Sequence, residues 1–189
     1  MIAEKKILVV LGSVLLIGVA SCSSEESGVA ELQHSELPMA SESGSSNETS
    51  AAPVSQSIEP CELLSVNDLV GYGDFNEGEY EEVGEARTCY WQLSSKGGVE
   101  GFIVSLNVRD SQSVDSVNDV GGGIDEYEVD GRAAARVANP RFGDCTIALA
   151  VDSQSRVDVV VNGLSSVDES CPIAEDVAGL VEPHLPEIP

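Results

Sequence analysis

The sequence has few residues of the kinds that carry most enzyme chemistry. Its 189 residues include only two histidines, His34 and His184, and neither has a metal ligand or a triad companion close by in sequence. The nucleophile motif G-x-S-x-G is also absent. We therefore expect no catalytic residue, no metal and no cofactor, and interpret the protein as a non-enzyme. An active site that is assembled only in the fold, such as that of a hydrolase, is the open alternative.

Basic residues are scarce as well. The chain has 9 Lys and Arg against 33 Asp and Glu, a formal net charge of −24. Such a surface is repelled by nucleic acid and by anionic lipid head groups, so we expect no nucleic-acid partner. The general explanation of this acidity is solubility or adaptation to a salty habitat. The more specific explanation is that the chain binds a basic partner or divalent cations.

Acidic residues are densest in segment 74–85, which lacks the spacing of an EF-hand calcium loop. We predict that this segment is a solvated loop or an edge strand, because acidic side chains at an edge discourage unwanted strand pairing.

The chain lacks the apolar length of a membrane-spanning helix near its start, although it has a shorter run at residues 7–20. A helix needs about 20 apolar residues to cross a bilayer. The run follows Lys5 and Lys6 and ends in small residues, which is typical of a secretory signal. Val-Ala-Ser-Cys at 19–22 resembles the lipobox of bacterial lipoproteins, in which the cysteine receives a diacylglyceryl group and becomes the first residue after cleavage.

This resemblance implies that residues 1–21 are a signal peptide and that Cys22 is the lipidation site. The mature chain, without Glu4 and two lysines, would carry 7 basic and 32 acidic residues, so acyl chains rather than a basic patch must hold it on the membrane. We expect the protein on the extracytoplasmic face of the cell membrane. The alternative is an ordinary signal cut near Ala20, which would leave Cys22 as a free thiol.

Composition divides the mature chain into two parts. Residues 22–59 are rich in Ser, Glu, Ala and Pro and contain no aromatic residue, so we predict a disordered tether behind the lipidated cysteine. Residues 60–189 have the usual size of a single globular domain, which we expect to be monomeric.

The chain has five cysteines, an odd number for an exported protein. Lipidation of Cys22 would leave four, in an oxidising compartment where disulfides persist. These four are 28, 56 and 26 residues apart, and the absence of a close pair argues against a zinc site. Four cysteines allow three pairings. We predict Cys61–Cys89 and Cys145–Cys171, because these bonds would fasten the first and the last helix to the sheet.

Strand and turn patterns predict an α+β fold, with a mainly antiparallel sheet covered by a short N-terminal and a longer C-terminal helix. Hairpin signals occur at 94–98, at Asp130-Gly131 and around Ser153-Gln154. Trp91 lies in the first predicted hairpin and is interpreted as a core residue.

Helical patterns occur at three places. Residues 65–70 begin with the possible capping pair Ser65 and Asp68. Residues 113–120 have valines at intervals of three and end at a glycine run, which we interpret as a flexible connection. The last helix is predicted to begin near Pro172 and to end at Pro183. Its expected apolar stripe is Ile173, Val177, Leu180 and Val181.

Six different short motifs are distributed along the predicted domain. They are P-C-E-L-L at 60–64, C-Y-W at 89–91, D-G-R-A at 130–133, C-T-I at 145–147, C-P-I-A at 171–174 and L-P at 185–186. Together they are similar to a family of actinobacterial, often mycobacterial, lipoproteins built on a domain of unknown function. The resemblance implies an envelope lipoprotein and implies no activity. The acidic segment 74–85 departs from the pattern.

These features predict a membrane-anchored, non-catalytic binding or adaptor module whose partner is an envelope protein or a lipid. A carrier of a small apolar ligand, held between the sheet and the last helix, is the alternative. An enclosed apolar pocket would favour the carrier, convergent carboxylates in a cleft would favour an enzyme, and a solid core with a conspicuous surface patch would favour the adaptor.

Lipidation at Cys22 is directly testable. Mass spectrometry of the native protein should show an N-terminal peptide that starts at Cys22 with a lipid adduct. Cys22→Ser should release or mislocalise the protein, while Ser23→Ala should leave it membrane-bound. A mature peptide that starts at Ser21 or Ser23 would contradict the assignment.

Overall fold

One antiparallel sheet organises the computed structural model, which describes residues 53–98 and 100–187. Its strands are β1 (Glu79–Val83), β2 (Ala86–Leu93), β3 (Phe102–Arg109), β4 (Ile124–Val129), β5 (Arg132–Asn139), β6 (Asp144–Ala150) and β7 (Arg156–Asn162), and one α-helix, α1 (Val167–Val181), follows them. Short 3-10 turns occur at Val54–Ser57, Pro60–Glu62, Val66–Leu69, Val114–Ser116 and Glu182–His184. The α+β class predicted from sequence is confirmed.

The strand order is β1-β2-β3-β7-β6-β5-β4, and every neighbouring pair is antiparallel. Hairpins join most consecutive strands, but β3 and β4 lie far apart in the sheet. Residues 110–123, here called the crossover segment, connect them. This segment passes over one face of the sheet, the crossover face, and α1 packs on the other, the helix face.

The predicted hairpins are confirmed, and so is the edge strand in the acidic region. In the β4–β5 turn, Asp130 and Gly131 both have positive φ, 50° and 89°, the conformation of a two-residue turn that matches strand twist. β1 is an edge strand whose five residues are all exposed. Trp91 is 1% exposed in the core.

Two disulfides fasten the outer layers to the sheet, with the predicted pairing. Cys61–Cys89 joins the turn Pro60–Glu62 to β2, and Cys145–Cys171 joins β6 to α1. Each bond therefore ties a short covering element to a buried strand.

The predictions for α1 were only partly right. Pro172 lies inside the helix, which begins at Val167. At this start the Ser166 hydroxyl donates to Glu169 Oε2 at 3.2 Å. Val177 and Val181 are fully buried as expected, but Leu180 is 41% exposed. Small residues complete the buried stripe instead, so α1 lies close to the sheet. Its buried residues are Ser170, Cys171, Ala174, Val177, Ala178 and Val181.

The other two segments predicted to be α-helices contain only short 3-10 turns. Residues 66–69 form a 3-10 turn, although the Asp68 carboxylate does accept the Ser65 N–H at 2.8 Å. Within residues 113–120, only Val114–Ser116 form a 3-10 turn. The carbonyl of Ser113, which would accept the N–H of Val117 in an α-helix, instead accepts bonds from Ser116 N and Oγ and from Arg156. The glycine run is held by Asp119, whose Oδ1 accepts the N–H groups of two of its glycines at 2.7 and 2.9 Å.

The packed chain begins before residue 60, the boundary expected from composition. Ser55 and Ile58 are buried, and their carbonyls accept hydrogen bonds from Arg87 Nη2 at 2.8 Å and from Arg87 Nη1 at 2.5 Å. The same guanidinium pairs with Asp110. The stretch 53–59 therefore belongs to the domain. The rest of the predicted tether, the signal peptide and Cys22 lie outside the described residues.

The correct N-terminal boundary can be measured. A chain starting at Pro53 should unfold in urea at the same midpoint as one starting at Ser23. A chain starting at Pro60 should lose about 3 kcal/mol, because it lacks two hydrogen bonds to a guanidinium and the burial of Ile58. Equal stability of all three chains would place the boundary back at 60.

Candidate functional site

A buried ionic network lies beneath the crossover segment. Asp158, at the centre of the crossover face, is 4% exposed. Its carboxylate pairs with Arg156 Nε at 2.6 Å and with Arg109 Nε at 2.5 Å. A buried charge is tolerated only when it is paired with an opposite charge and hydrogen-bonded. The two guanidinium groups supply both the opposite charge and the hydrogen-bond donors for this carboxylate.

Arg156 also binds the crossover segment. Its Nη1 donates to the carbonyl of Ser113 at 2.8 Å and to Ser116 Oγ at 2.9 Å, and its Nη2 donates to Gln112 Oε1 at 3.3 Å. The five donors of a guanidinium in a rigid fork suit it to hold two elements at once. The network therefore fixes the height and path of the segment over the sheet.

An open cavity of about 310 Å³ lies between the crossover segment and strands β4 and β5. We call it the crossover cleft. Its apolar lining comes from Val114 and Val117 on the segment, and from Ile124, Ala133 and Ala135 on the strands. Asp115, Glu126 and Glu128 add carboxylates to this lining. The cleft thus combines an apolar floor with an acidic rim.

Two of the three carboxylates of β4 have no counterion among the described residues. Among the described residues, Glu126 and Glu128 form no ion pair, whereas Asp125 pairs with Arg136 Nη2 at 2.6 Å. Both glutamates are exposed, on the crossover face of the strand. They present uncompensated negative charge beside an apolar surface.

β4 is one of the two edge strands of the sheet, opposite β1. Because Val129 and Arg132 close the two-residue turn, they form a hydrogen-bonded pair, and such pairs recur at every second residue of an antiparallel ladder. The backbone groups of Val129 therefore face β5, while those of Ile124, Glu126 and Glu128 face away from the sheet. Within 53–98 and 100–187 no hydrogen bond reaches these outward groups.

A second open cavity, of about 300 Å³, lies on the helix face between β4, β5 and α1. We call it the helix cleft. Arg136 crosses it and donates to Asp125 and, at 2.8 Å, to Glu175 of α1. Nearby, burial and the charge of Glu175 raise the pKa of Tyr127 to about 12, and the Tyr127 hydroxyl is buried with no hydrogen-bond partner among the described residues.

The interface between α1 and the sheet is filled by side chains. Ala174, Val177, Ala178 and Val181 are fully buried in one cluster with the apolar residues of the central strands. This is the region where an apolar ligand would lie in a carrier of the kind considered above.

The whole chain was also compared with known proteins. Residues 17–184 match the family described as "Protein of unknown function (DUF3558)". The chain belongs to this family. No curated protein and no solved structure matches it.

Among the predicted site residues of this DUF3558 member that the structure describes, the four disulfide cysteines, only Cys171 lines one of the two clefts. Cys171 lines the helix cleft, whereas His184 is exposed in the turn after α1. In the part of the chain that the structure describes, no cluster of three His, Cys, Asp or Glu residues is placed to hold a metal. No helix there is long and apolar enough to cross a membrane.

Sequence reasoning missed the crossover cleft. The valines that line it were interpreted as one face of a helix. The available signal was the alternation in I-D-E-Y-E-V, residues 124–129, which places Ile124, Glu126 and Glu128 on one face.

Removal of the buried carboxylate should loosen the crossover segment. Asp158→Asn leaves two guanidinium groups without their shared counterion and should lower the free energy of unfolding by about 3 kcal/mol. Asp125→Asn, which breaks an exposed pair, should cost less than about 1 kcal/mol. Urea unfolding of both variants checks this, and equal losses would show that the network does not fix the segment.

Proposed function

We propose that this DUF3558 protein is an extracytoplasmic lipoprotein of an actinobacterial envelope that acts as a non-catalytic binding module. The signal-like N-terminus and the Val-Ala-Ser-Cys sequence support a diacylglyceryl anchor at Cys22. The two disulfides support an oxidising compartment, since such bonds are rare in the cytosol. The anchor would place the domain at the outer face of the cell membrane.

The crossover cleft is the docking site in this proposal. The observation that carries it is an apolar floor bordered by carboxylates without counterions, on a segment whose position is fixed by buried ion pairs. A surface of this kind suits a partner that offers apolar side chains next to basic ones, because opposite potentials steer and orient association. The excess of acid over the whole chain would draw such a partner in.

The alternative functions have less support from the geometry. A carrier needs an enclosed apolar space, and the region beneath α1 is packed with side chains. A hydrolase needs a nucleophile or an acid–base pair in a cleft. Two of the three carboxylates of the crossover cleft, Glu126 and Glu128, lie along the strand edge and have no side-chain hydrogen-bond partner among the described residues. A binding role fits this arrangement better.

Site-specific crosslinking in the native envelope tests the proposal. A photoreactive residue at Ala133, exposed in the cleft, should yield one discrete adduct, and Glu126→Lys with Glu128→Lys should abolish it. The same probe at Gln92, exposed on the same face near the other edge, should yield none. Equal adducts at both positions, or an adduct that survives the charge reversal, would reject the cleft as the docking site.

A further inference from the structure

We infer that the partner docks as an extended, basic segment that adds an eighth strand to the free edge of β4. This inference rests on the proposed function and names the partner's chemistry. Addition of a strand to an exposed sheet edge is a common mode of peptide recognition, in which main-chain hydrogen bonds give affinity and pockets for alternate side chains give specificity.

The backbone of β4 supplies the hydrogen bonds. The N–H and C=O groups of Ile124, Glu126 and Glu128 face away from β5 and have no partner among the described residues. No proline interrupts the strand between Ile124 and Val129. Its six residues present three outward-facing positions, so a partner strand would form an antiparallel or parallel ladder along the full length of β4.

The two clefts supply the pockets. Successive side chains of a strand point to opposite faces of the sheet. β4 contributes Ile124, Glu126 and Glu128 to the crossover cleft and Asp125 to the helix cleft. A strand placed beside β4 would therefore direct alternate side chains toward one cleft and then the other. This placement of clefts on both sides of one edge is what favours a strand over a helix as the docking segment.

The negative charge of β4 indicates that the partner segment is positively charged. The stretch from Asp125 to Asp130 carries four carboxylates, at 125, 126, 128 and 130, of which only Asp125 has an ion-pair partner in the described chain. Opposite charges on directly facing positions stabilise a strand pair, and like charges destabilise it. A segment that alternates Lys or Arg with small apolar residues matches the two glutamates and the apolar floor of the crossover cleft.

The same charge argues against a second copy of this chain as the occupant. Two β4 strands paired edge to edge would bring acidic side chains against each other. The opposite edge, β1, is acidic too, with Glu79, Glu81 and Glu82. Neither edge offers the basic residues that β4 would need.

The probe is an acetylated and amidated peptide, Lys-Val-Lys-Val-Lys-Val-Lys, added to the ¹⁵N-labelled mature chain 22–189 carrying Cys22→Ser. Binding should slow hydrogen exchange of the outward amides of Glu126 and Glu128 at least tenfold. The already bonded amide of Tyr127 should change little. A peptide methylated on every backbone nitrogen between residues keeps its charge but has no main-chain donor for the edge on either side, and it should bind at least tenfold more weakly.

A matched pair of charge reversals distinguishes the contribution of the β4 edge to peptide binding from that of the chain's overall negative charge. Glu126→Lys with Glu128→Lys should weaken binding of the unmethylated peptide at least tenfold. Glu79→Lys with Glu81→Lys makes the same change of charge on β1 and should weaken it no more than twofold. Circular dichroism of both variants checks that the fold is kept.

The outcomes distinguish this inference from the proposed function. If both peptides bind equally well and only the β4 reversal weakens them, the cleft is a charge-dependent docking site and strand addition is wrong. If neither peptide binds while the Ala133 crosslink forms, the partner chemistry named here is wrong and the proposed function stands. If neither reversal matters and no crosslink forms, both fail. Self-association through β4, seen by sedimentation, would also overturn the inference.

Discussion

The buried pairing of Arg156 with Asp158 is the interaction on which the rest of the surface depends. The strand order places β3 in the interior and β4 at the edge, so the chain must cross the sheet once between them. The crossover segment has almost no regular structure of its own, and its only helical turn spans three residues. Hydrogen bonds from Arg156 hold it instead. Without the carboxylate beneath it, that guanidinium would be a buried and unpaired charge, which is a large penalty.

Covalent bonds compensate for a small and aliphatic core. The chain has only eight aromatic residues, Trp 1, Tyr 4 and Phe 3, and its central strands bury mostly valine. The face of α1 that packs on them is largely alanine and valine, which brings the helix close but buries little area per residue. Each disulfide closes a loop of under 30 residues, worth about 3.5 kcal/mol in the chain-entropy account. The two bonds therefore add covalent links between the sheet and two of the elements that cover it.

Local signals allowed much of the fold to be predicted from sequence, and long-range contacts explain the failures. Asp130-Gly131 specifies its hairpin through the backbone alone. The disulfide pairing followed once the order of helices and strands was known. By contrast, Pro172 was expected to open α1 but lies inside it, where it removes one backbone hydrogen bond and its ring crowds the preceding turn. The pair Ser166 and Glu169, whose side chains are hydrogen-bonded at the start of the helix, was not considered. Contacts of Arg87 with the carbonyls of residues 55 and 58 set the N-terminal boundary of the domain, and contacts of Arg156 set the path of the crossover segment. Both arginines contact residues far away in the sequence, so no local pattern predicted these contacts.

The acidity of the chain acts differently at its surface and at its edge. Over most of the surface, the carboxylates add to a large net negative charge, which in general favours solubility and disfavours self-association. At β4 the same residue type lies beside unpaired backbone groups and an apolar cleft, where in the proposed mode of docking it would discriminate between partners. An acidic edge disfavours pairing with another copy of the chain or with any strand of like charge, since like charges on facing strands repel each other. The feature that protects this edge from aggregation would thus also select a basic strand, because specificity is a difference between affinities for the right and the wrong partner.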